Sequence, residues 1–316
     1  MRILFAGTPA LAVPSLEKAA HAHEVVAVLT SPDQPSGRGR ATACPPVKEA
    51  ASRLGLRVVQ PQKLDAAFLE EVRALAPDLL VVAAFGKIFR KSLLDLFPLG
   101  GINVHPSLLP RHRGPSPISA AILAGDRETG VTIQKIALKF DTGDIYAQEP
   151  YPLKGDETTG TLTAALAALG AQVLEAVLAG LAAGRPPSAR AQDEAVATYS
   201  HTIAKEDGVI RWEEPAVVIE RKVRAFDPWP RASTRRGVET ILVLKSHVYP
   251  ATLGQDQDRP EMPGGVLGAD GDHGLLVRTG AGILAIERLQ RQFRKPTDWR
   301  SFLNGQPDIV GARLGA

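Results

Sequence analysis

The chain has 316 residues, of which 44% are hydrophobic and 22% charged, and Cys44 is its single cysteine. That length accommodates one large or two ordinary globular domains, while one cysteine excludes intrachain disulfides and multi-cysteine zinc sites. The net charge of +3 and pI near 9.0 permit a polyanionic partner without requiring one; no apolar run is read as reaching the ~20 residues of a membrane span, and no secretory leader is read at the start, so no membrane partner is expected and the cytoplasm is the expected compartment.

In chain order, residues 2–9 read as a buried strand ending in a turn, followed by a helix over 11–20 that holds Pro14 in its first turn. Gly7 lies outside any G-x-G-x-x-G pattern, so dinucleotide binding is not supported. A second strand over 23–30 leads into a loop over 31–40 that is rich in Gly, Pro and Ser. Helices over 47–55 and 66–76 then alternate with strands over 56–59 and 78–84, the second an unbroken Leu/Val run of the kind a parallel sheet buries on both faces. A short helix over 92–97 precedes a strand that ends at His105. Residues 115–124 form a helix with Pro117 in its first turn. Residues 130–136 alternate as a half-exposed strand would, residues 145–153 make another strand, and 159–183 an Ala/Leu-rich helix.

The style changes after that helix. Domain 1–184 is α/β, 185–205 reads as a polar linker, and 206–316 forms a second domain opened by an amphipathic helix over 215–226, with Val217, Val218, Val223 and Phe226 on its apolar side. Short strands over 240–248, 265–267, 275–277 and 283–286, separated by Gly-rich turns, have the spacing of a small five-stranded barrel of the oligonucleotide-binding (OB-like) type.

Two polar clusters carry chemistry. Asn103 and His105 alternate with Ile102 and Val104, so they share one strand face and lie where Pro106, lacking an N–H, ends the ladder. In an open parallel sheet ligands bind at such carboxyl ends. The second cluster is Asp141-Thr142-Gly143-Asp144. An Asn amide donates to a developing oxyanion, a His donates or shuttles a proton, and an Asp orients that His. With no serine in a G-x-S-x-G elbow and no base beside Cys44, the trio fits acyl transfer in which a substrate supplies the nucleophile. His105 and Asp141 lack partners such as H-E-x-x-H, so no metal is expected.

The segments Asn103-x-His105-x-Ser107-Leu108-Leu109-Pro110, Arg111-x-Arg113-Gly114, Gly130-Val131-Thr132-Ile133 and Asp141-Thr142-Gly143-Asp144 together resemble the 10-formyltetrahydrofolate-dependent formyltransferases. The resemblance implies a Rossmann-like catalytic domain, catalytic roles for Asn103, His105 and Asp141, and a folate site lined by Ser107, Leu108, Leu109 and Pro110. Pro106, Lys139 and Phe140 depart from the usual pattern and bear on pocket shape. Phe85, Gly86, Lys87 and Ile88, at a neighbouring strand end, are read as backbone contacts to the pterin.

Residues 1–9, the loop Pro32-Asp33-x-Pro35-x-Gly37-Arg38-Gly39 and the C-terminal Val223-Arg224-Ala225-Phe226-Asp227-Pro228-Trp229-Pro230 resemble the members of that family whose acceptor is initiator methionyl-tRNA. Arg38, Gly39 and Arg40 then sit on a loop slim enough to approach an acceptor stem. Arg231, Arg235, Arg236, Arg288, Arg291, Arg294 and Lys295 suggest a basic face on the second domain, although residues 205–316 carry 17 Lys and Arg against 15 Asp and Glu. A monomer is expected, and sugar-nucleotide N-formyltransferases and a 10-formyltetrahydrofolate hydrolase are the alternatives.

Overall fold

The computed structural model describes residues 1–36, 41–250 and 262–315 and divides into two compact units. The first comprises Met1–Ile118, Arg127–Leu153 and Leu162–His201; the second comprises Ser119–Asp126, Lys154–Thr161 and Thr202–Ala316.

In the first unit, strands β1 (Arg2–Gly7), β2 (Glu24–Leu29), β5 (Val58–Val59), β6 (Leu79–Ala83), β7 (Gly101–His105), β8 (Glu128–Lys135) and β9 (Ile145–Pro152) form one sheet in the order β5-β2-β1-β6-β7-β8-β9; β3 (Gln34–Ser36) and β4 (Ala41–Ala43) pair separately as a hairpin. Pairing is parallel from β5 to β7 and antiparallel across β8 and β9. The unbroken apolar runs of β1 and β6 are buried on both faces, as their composition predicts: Leu4, Leu80 and Val82 meet Phe68 and Val72 of α3 (Ala66–Leu75), while Ile3, Phe5 and Val81 are buried on the opposite face. Helices α1 (Val13–Ala22) and α2 (Pro46–Arg53) join the first strands, and Pro14 lies in the first turn of α1. The chain winds outward from β1 through β2 to β5, then crosses back to β6. This reversal places the carboxyl ends of β1, β6 and β7 around a switch point.

Beyond β6 come α4 (Lys91–Leu94), α5 (Pro117–Ala124) and α6 (Thr159–Ala182). At 24 residues, with an 18-residue stretch of mean hydropathy 1.8, α6 is long and apolar enough to cross a membrane, which corrects the expectation that no such run exists. Its burying face includes Leu162, Leu166, Leu174 and Leu178, and the approach to the sheet is close: a Cβ on Gly170 would stand 2.9 Å from Val104 Cγ1 of β7. The apolar composition thus has a partner within the fold.

Two other expectations change. The alternation in β8 predicts one face in water, yet Thr132 and Gln134 are as buried as Val131 and Ile133, because the polar face looks onto hydrogen-bonding groups of the same unit. Residues 185–201 do not lie apart as a linker; they belong to the first unit, where Arg190 pairs with Ile145 and Thr198 and Ser200 bond to the 110–116 segment. Polar composition there reflects a hydrogen-bonded strap rather than a free tether.

The second unit contains α7 (Ala216–Ala225), β10 (Ala232–Arg236), β11 (Glu239–Val248), β12 (Val266–Asp270), β13 (Gly274–Arg278), β14 (Ile283–Arg291), β15 (Thr297–Asp298) and α8 (Trp299–Gly305). Its antiparallel sheet runs β10-β11-β14-β13-β12, with β15 on β14, and is consistent with a small barrel. Trp212, Ile219, Val223, Ile241, Leu284 and Phe302 are among its core residues. The buried side of α7 is Ala216, Ile219 and Val223, whereas Val217 is exposed. The architecture is a mostly parallel α/β domain followed by an antiparallel β domain.

Candidate active site

β7 ends at His105, where Pro106 has no N–H to donate, and its pleat sets Asn103 and His105 on one side. The other side, Ile102 and Val104, is core. β8 reverses direction beside it, His105 pairing with Thr132, and the loop after Lys135 closes when the Lys135 N–H donates to Asp144 O at 2.8 Å. Gly143 makes that closure possible: a Cβ there would lie 1.8 Å from Lys135 O. The loop carries Asp141 at φ 54°, a left-handed conformation that costs a non-glycine residue on the order of 1 kcal/mol and that Asp tolerates better than most.

The loop delivers the Asp141 carboxylate to the strand end. Oδ1 stands 3.5 Å from His105 Nδ1, accepts from Gln134 Nε2 at 2.8 Å and meets Asn103 Nδ2 at 3.4 Å; Oδ2 accepts the Gly114 N–H at 2.9 Å. Asp141, distant in sequence from the neighbours Asn103 and His105, therefore joins them in one cluster at the carboxyl end of β7.

The ring of His105 is buried, and its Nε2 lies 3.0 Å from His112 O. A carbonyl only accepts, so this contact assigns the proton of the neutral ring to Nε2 and leaves the lone pair of Nδ1 beside Asp141. Burial pushes the imidazole pKa below the ordinary histidine value, opposed by the Asp141 charge and the His112 carbonyl. In the unfolded chain the ring titrates near 6.5. Between that value and the lower folded one the unfolded state binds more protons, so stability falls as pH falls. Thermal melts from pH 7.5 to 5.5 are expected to show a loss that His105→Gln reduces; equal pH dependence in the two proteins would contradict this.

The residues after His105 divide by side. Ser107 and Leu109 are buried: Ser107 Oγ donates to Arg111 O at 2.6 Å, and Thr132 Oγ1 both donates to Ser107 O at 2.6 Å and accepts the Leu109 N–H at 3.1 Å. Gln148 Nε2 bonds Leu109 O at 2.7 Å. Leu108 and Pro110 remain partly exposed. At the end of β6, Phe85 is buried and stacks on Phe89 with centroids 5.6 Å apart, and Lys87 Nζ donates back to Pro61 O at 3.3 Å. Gly86 and Ile88 are exposed.

Sequence reasoning assigned no role to Gln134 and Gln192, nor any to Arg113 beyond its place in a motif. Arg113 is fully buried and forms a bidentate pair with Glu194, at 2.6 and 2.9 Å, which keeps its guanidinium firmly charged. A glutamine within a strand carries no signal of its own; an arginine between Arg111 and Gly114 is visible as part of a motif but not as a buried one. Arg38, Gly39 and Arg40 lie outside the described residues. In the second unit, Arg236 is paired with Asp308, Arg291 with Glu239, and Arg231 donates to Gln290, so part of the expected basic face is engaged within the unit. Among the described residues no group of three or more His, Cys, Asp or Glu is placed to hold a metal.

Residues 1–178 match the family described as formyl transferase, and residues 202–307 match formyl transferase, C-terminal domain. The methionyl-tRNA formyltransferase of Treponema denticola is 44% identical over 318 residues, covering 98% of both chains. That of Roseiflexus sp. (strain RS-1) is 45% identical over 322 residues, covering 100% of this chain and 95% of the relative. Among solved structures, an N-formyltransferase from Helicobacter canadensis, in complex with folinic acid and dTDP-3-aminofucose, superposes with a TM-score of 0.66 at 19% identity, covering 90% of this chain and 98% of that one. HypX from Aquifex aeolicus in complex with tetrahydrofolic acid gives 0.61 at 19% identity over 98% of this chain and 48% of that one. At such identities the two structures speak for the fold alone. The family matches together span most of the chain and the relatives nearly all of it, so the chain belongs to the formyl transferase family.

Proposed function

We propose that this chain transfers the formyl group of 10-formyltetrahydrofolate to the α-amine of initiator methionyl-tRNA in the cytoplasm, giving N-formylmethionyl-tRNA. The convergence of Asn103, His105 and Asp141 at one strand end carries the reaction; likeness over the full length to methionyl-tRNA formyltransferases selects the acceptor over an amino sugar or water.

10-Formyltetrahydrofolate supplies an activated formyl group and a nitrogen that leaves. Asn103 Nδ2 donates to the formyl oxygen as it gains charge on attack by the amine, a donor turned toward the developing oxyanion rather than the ground state. The proton that the amine loses is the proton that the leaving nitrogen must gain. His105 Nδ1 is the atom that holds it in between, because Nε2 is already committed to His112 O. The charged ring then lies between the His112 carbonyl and the Asp141 carboxylate, which offsets the desolvation that keeps it neutral at rest.

For the folate, we assign the open lining to Leu108, Pro110 and the backbone of Gly86 to Ile88, with Ser107, Leu109 and Phe85 supporting it from within and Lys87 anchoring its loop. Arg38, Gly39 and Arg40 and the second domain, over 206–316, are assigned to tRNA.

Purified protein incubated with 10-formyltetrahydrofolate and, separately, methionyl-tRNA, a sugar amine nucleotide or buffer is expected to formylate only the methionyl-tRNA. Formylation of the sugar alone, or formate released in buffer alone, would overturn the assignment.

A further inference from the structure

A chain of amides with a fixed direction runs beneath Asp141. Gln192 lies in the strap after α6, and its Oε1 accepts from Arg113 Nη2 at 2.9 Å and Nε at 3.1 Å. Its Nε2 donates to Gly143 O at 2.7 Å, Asp141 O at 2.9 Å and Gln134 Oε1 at 3.3 Å. The partners settle which way the amide lies: a guanidinium only donates, and backbone carbonyls only accept. With the amino end of Gln192 facing it, Gln134 must turn its own oxygen toward Gln192 and its Nε2 toward Asp141 Oδ1, at 2.8 Å. The buried charge of Arg113 thus sets the orientation of two amides in series, and the second presents a donor to the carboxylate.

We propose that Gln192, anchored by Arg113, is a positioning residue for the transfer: it holds the Asp141–Gly143 backbone, with Asp141 in its left-handed conformation, and orients Gln134, so that the Asp141 carboxylate faces His105 and Asn103. The inference rests on Asp141 serving the reaction. It makes the strap part of the catalytic apparatus. It also explains why Arg113 is buried while its carboxylate partner Glu194 is 68% exposed: the ion pair is an anchor at the surface, and its cation is aimed inward at Gln192.

Two substitutions separate this role from simple bracing. Gln192→Glu keeps and strengthens the contact with Arg113, but its second oxygen faces two carbonyls and forces Gln134 to turn its donor away from Asp141. Gln134→Met removes the donor without touching Arg113. Since a displacement of about 1 Å at a reacting group costs on the order of 10² in rate, each variant is expected to lose about 10- to 100-fold in kcat while KM for methionyl-tRNA and for 10-formyltetrahydrofolate stays within about three-fold. The double variant should be no slower than the slower single one, because the residues act in series. A Gln192→Glu enzyme with kcat within two-fold of wild type, or a double loss equal to the product of the single losses, would overturn the proposal. Should Gln192→Glu fail to fold, Gln134→Met decides alone, and kcat within two-fold of wild type would refute it. Asp141→Asn serves as the control: if it retains wild-type turnover, the assignment of Asp141 is what fails.

Discussion

Asn103→Ala and His105→Ala are each expected to lower kcat by about 10²–10³-fold with the Kd for methionyl-tRNA unchanged, the first as the loss of an oxyanion donor and the second as the loss of a general acid–base group. The losses arise differently. Asn103 is partly accessible at the strand end, where its amide has only a long contact to Asp141 in the resting site and is free to turn to a charged oxygen. Removing it deletes a donor and little packing. His105 is buried, so its removal deletes the atom that holds the proton and also leaves His112 O and the Asp141 carboxylate facing a void. A melting curve must therefore accompany its rate. Turnover within ten-fold of wild type in either folded variant would refute the assignment.

Gly143→Ala, far smaller in chemical change, is expected to cost about as much. The added Cβ would lie 1.8 Å from Lys135 O, and because that atom is backbone no rotamer relieves the clash. The loop must move by more than about 1 Å, breaking the Lys135–Asp144 closure and withdrawing Gly143 O from Gln192. Asp141, two residues away, moves with it. The expected result is a loss of about 10² in kcat, with about 1–3 kcal/mol of destabilisation of the kind that overpacking produces. Near-normal turnover, or a structure of the variant with the His105–Asp141 distance unchanged, would show that the loop does not set the geometry.

Much of the fold was legible because burial on both faces leaves a plain mark. β1, β2 and β6 are nearly all apolar, Pro14 and Pro117 sit where a proline costs a helix least, and α6 is Ala/Leu-rich. β10 went unread for the opposite reason, as Ala-Ser-Thr-Arg-Arg has no apolar alternation, and its place is set by pairing with β11. β14 continues five residues beyond its apolar start because its outer half pairs with β11 and β15 rather than burying side chains at every step.

Asn103, His105 and Asp141 were within reach of the sequence by residue type, by alternation along a strand and by the proline that ends it. Those are local properties, and local chemistry writes them. That the three meet, that His105 carries its proton on Nε2, and that Gln134, Gln192 and Arg113 stand behind Asp141 were decided by tertiary structure alone. A hydrogen bond between residues 51 or 79 positions apart leaves no periodicity, and a polar strap and a polar linker have the same composition. What distinguishes them is whether their donors find acceptors on the folded domain, which the chain settles only once the sheet is assembled.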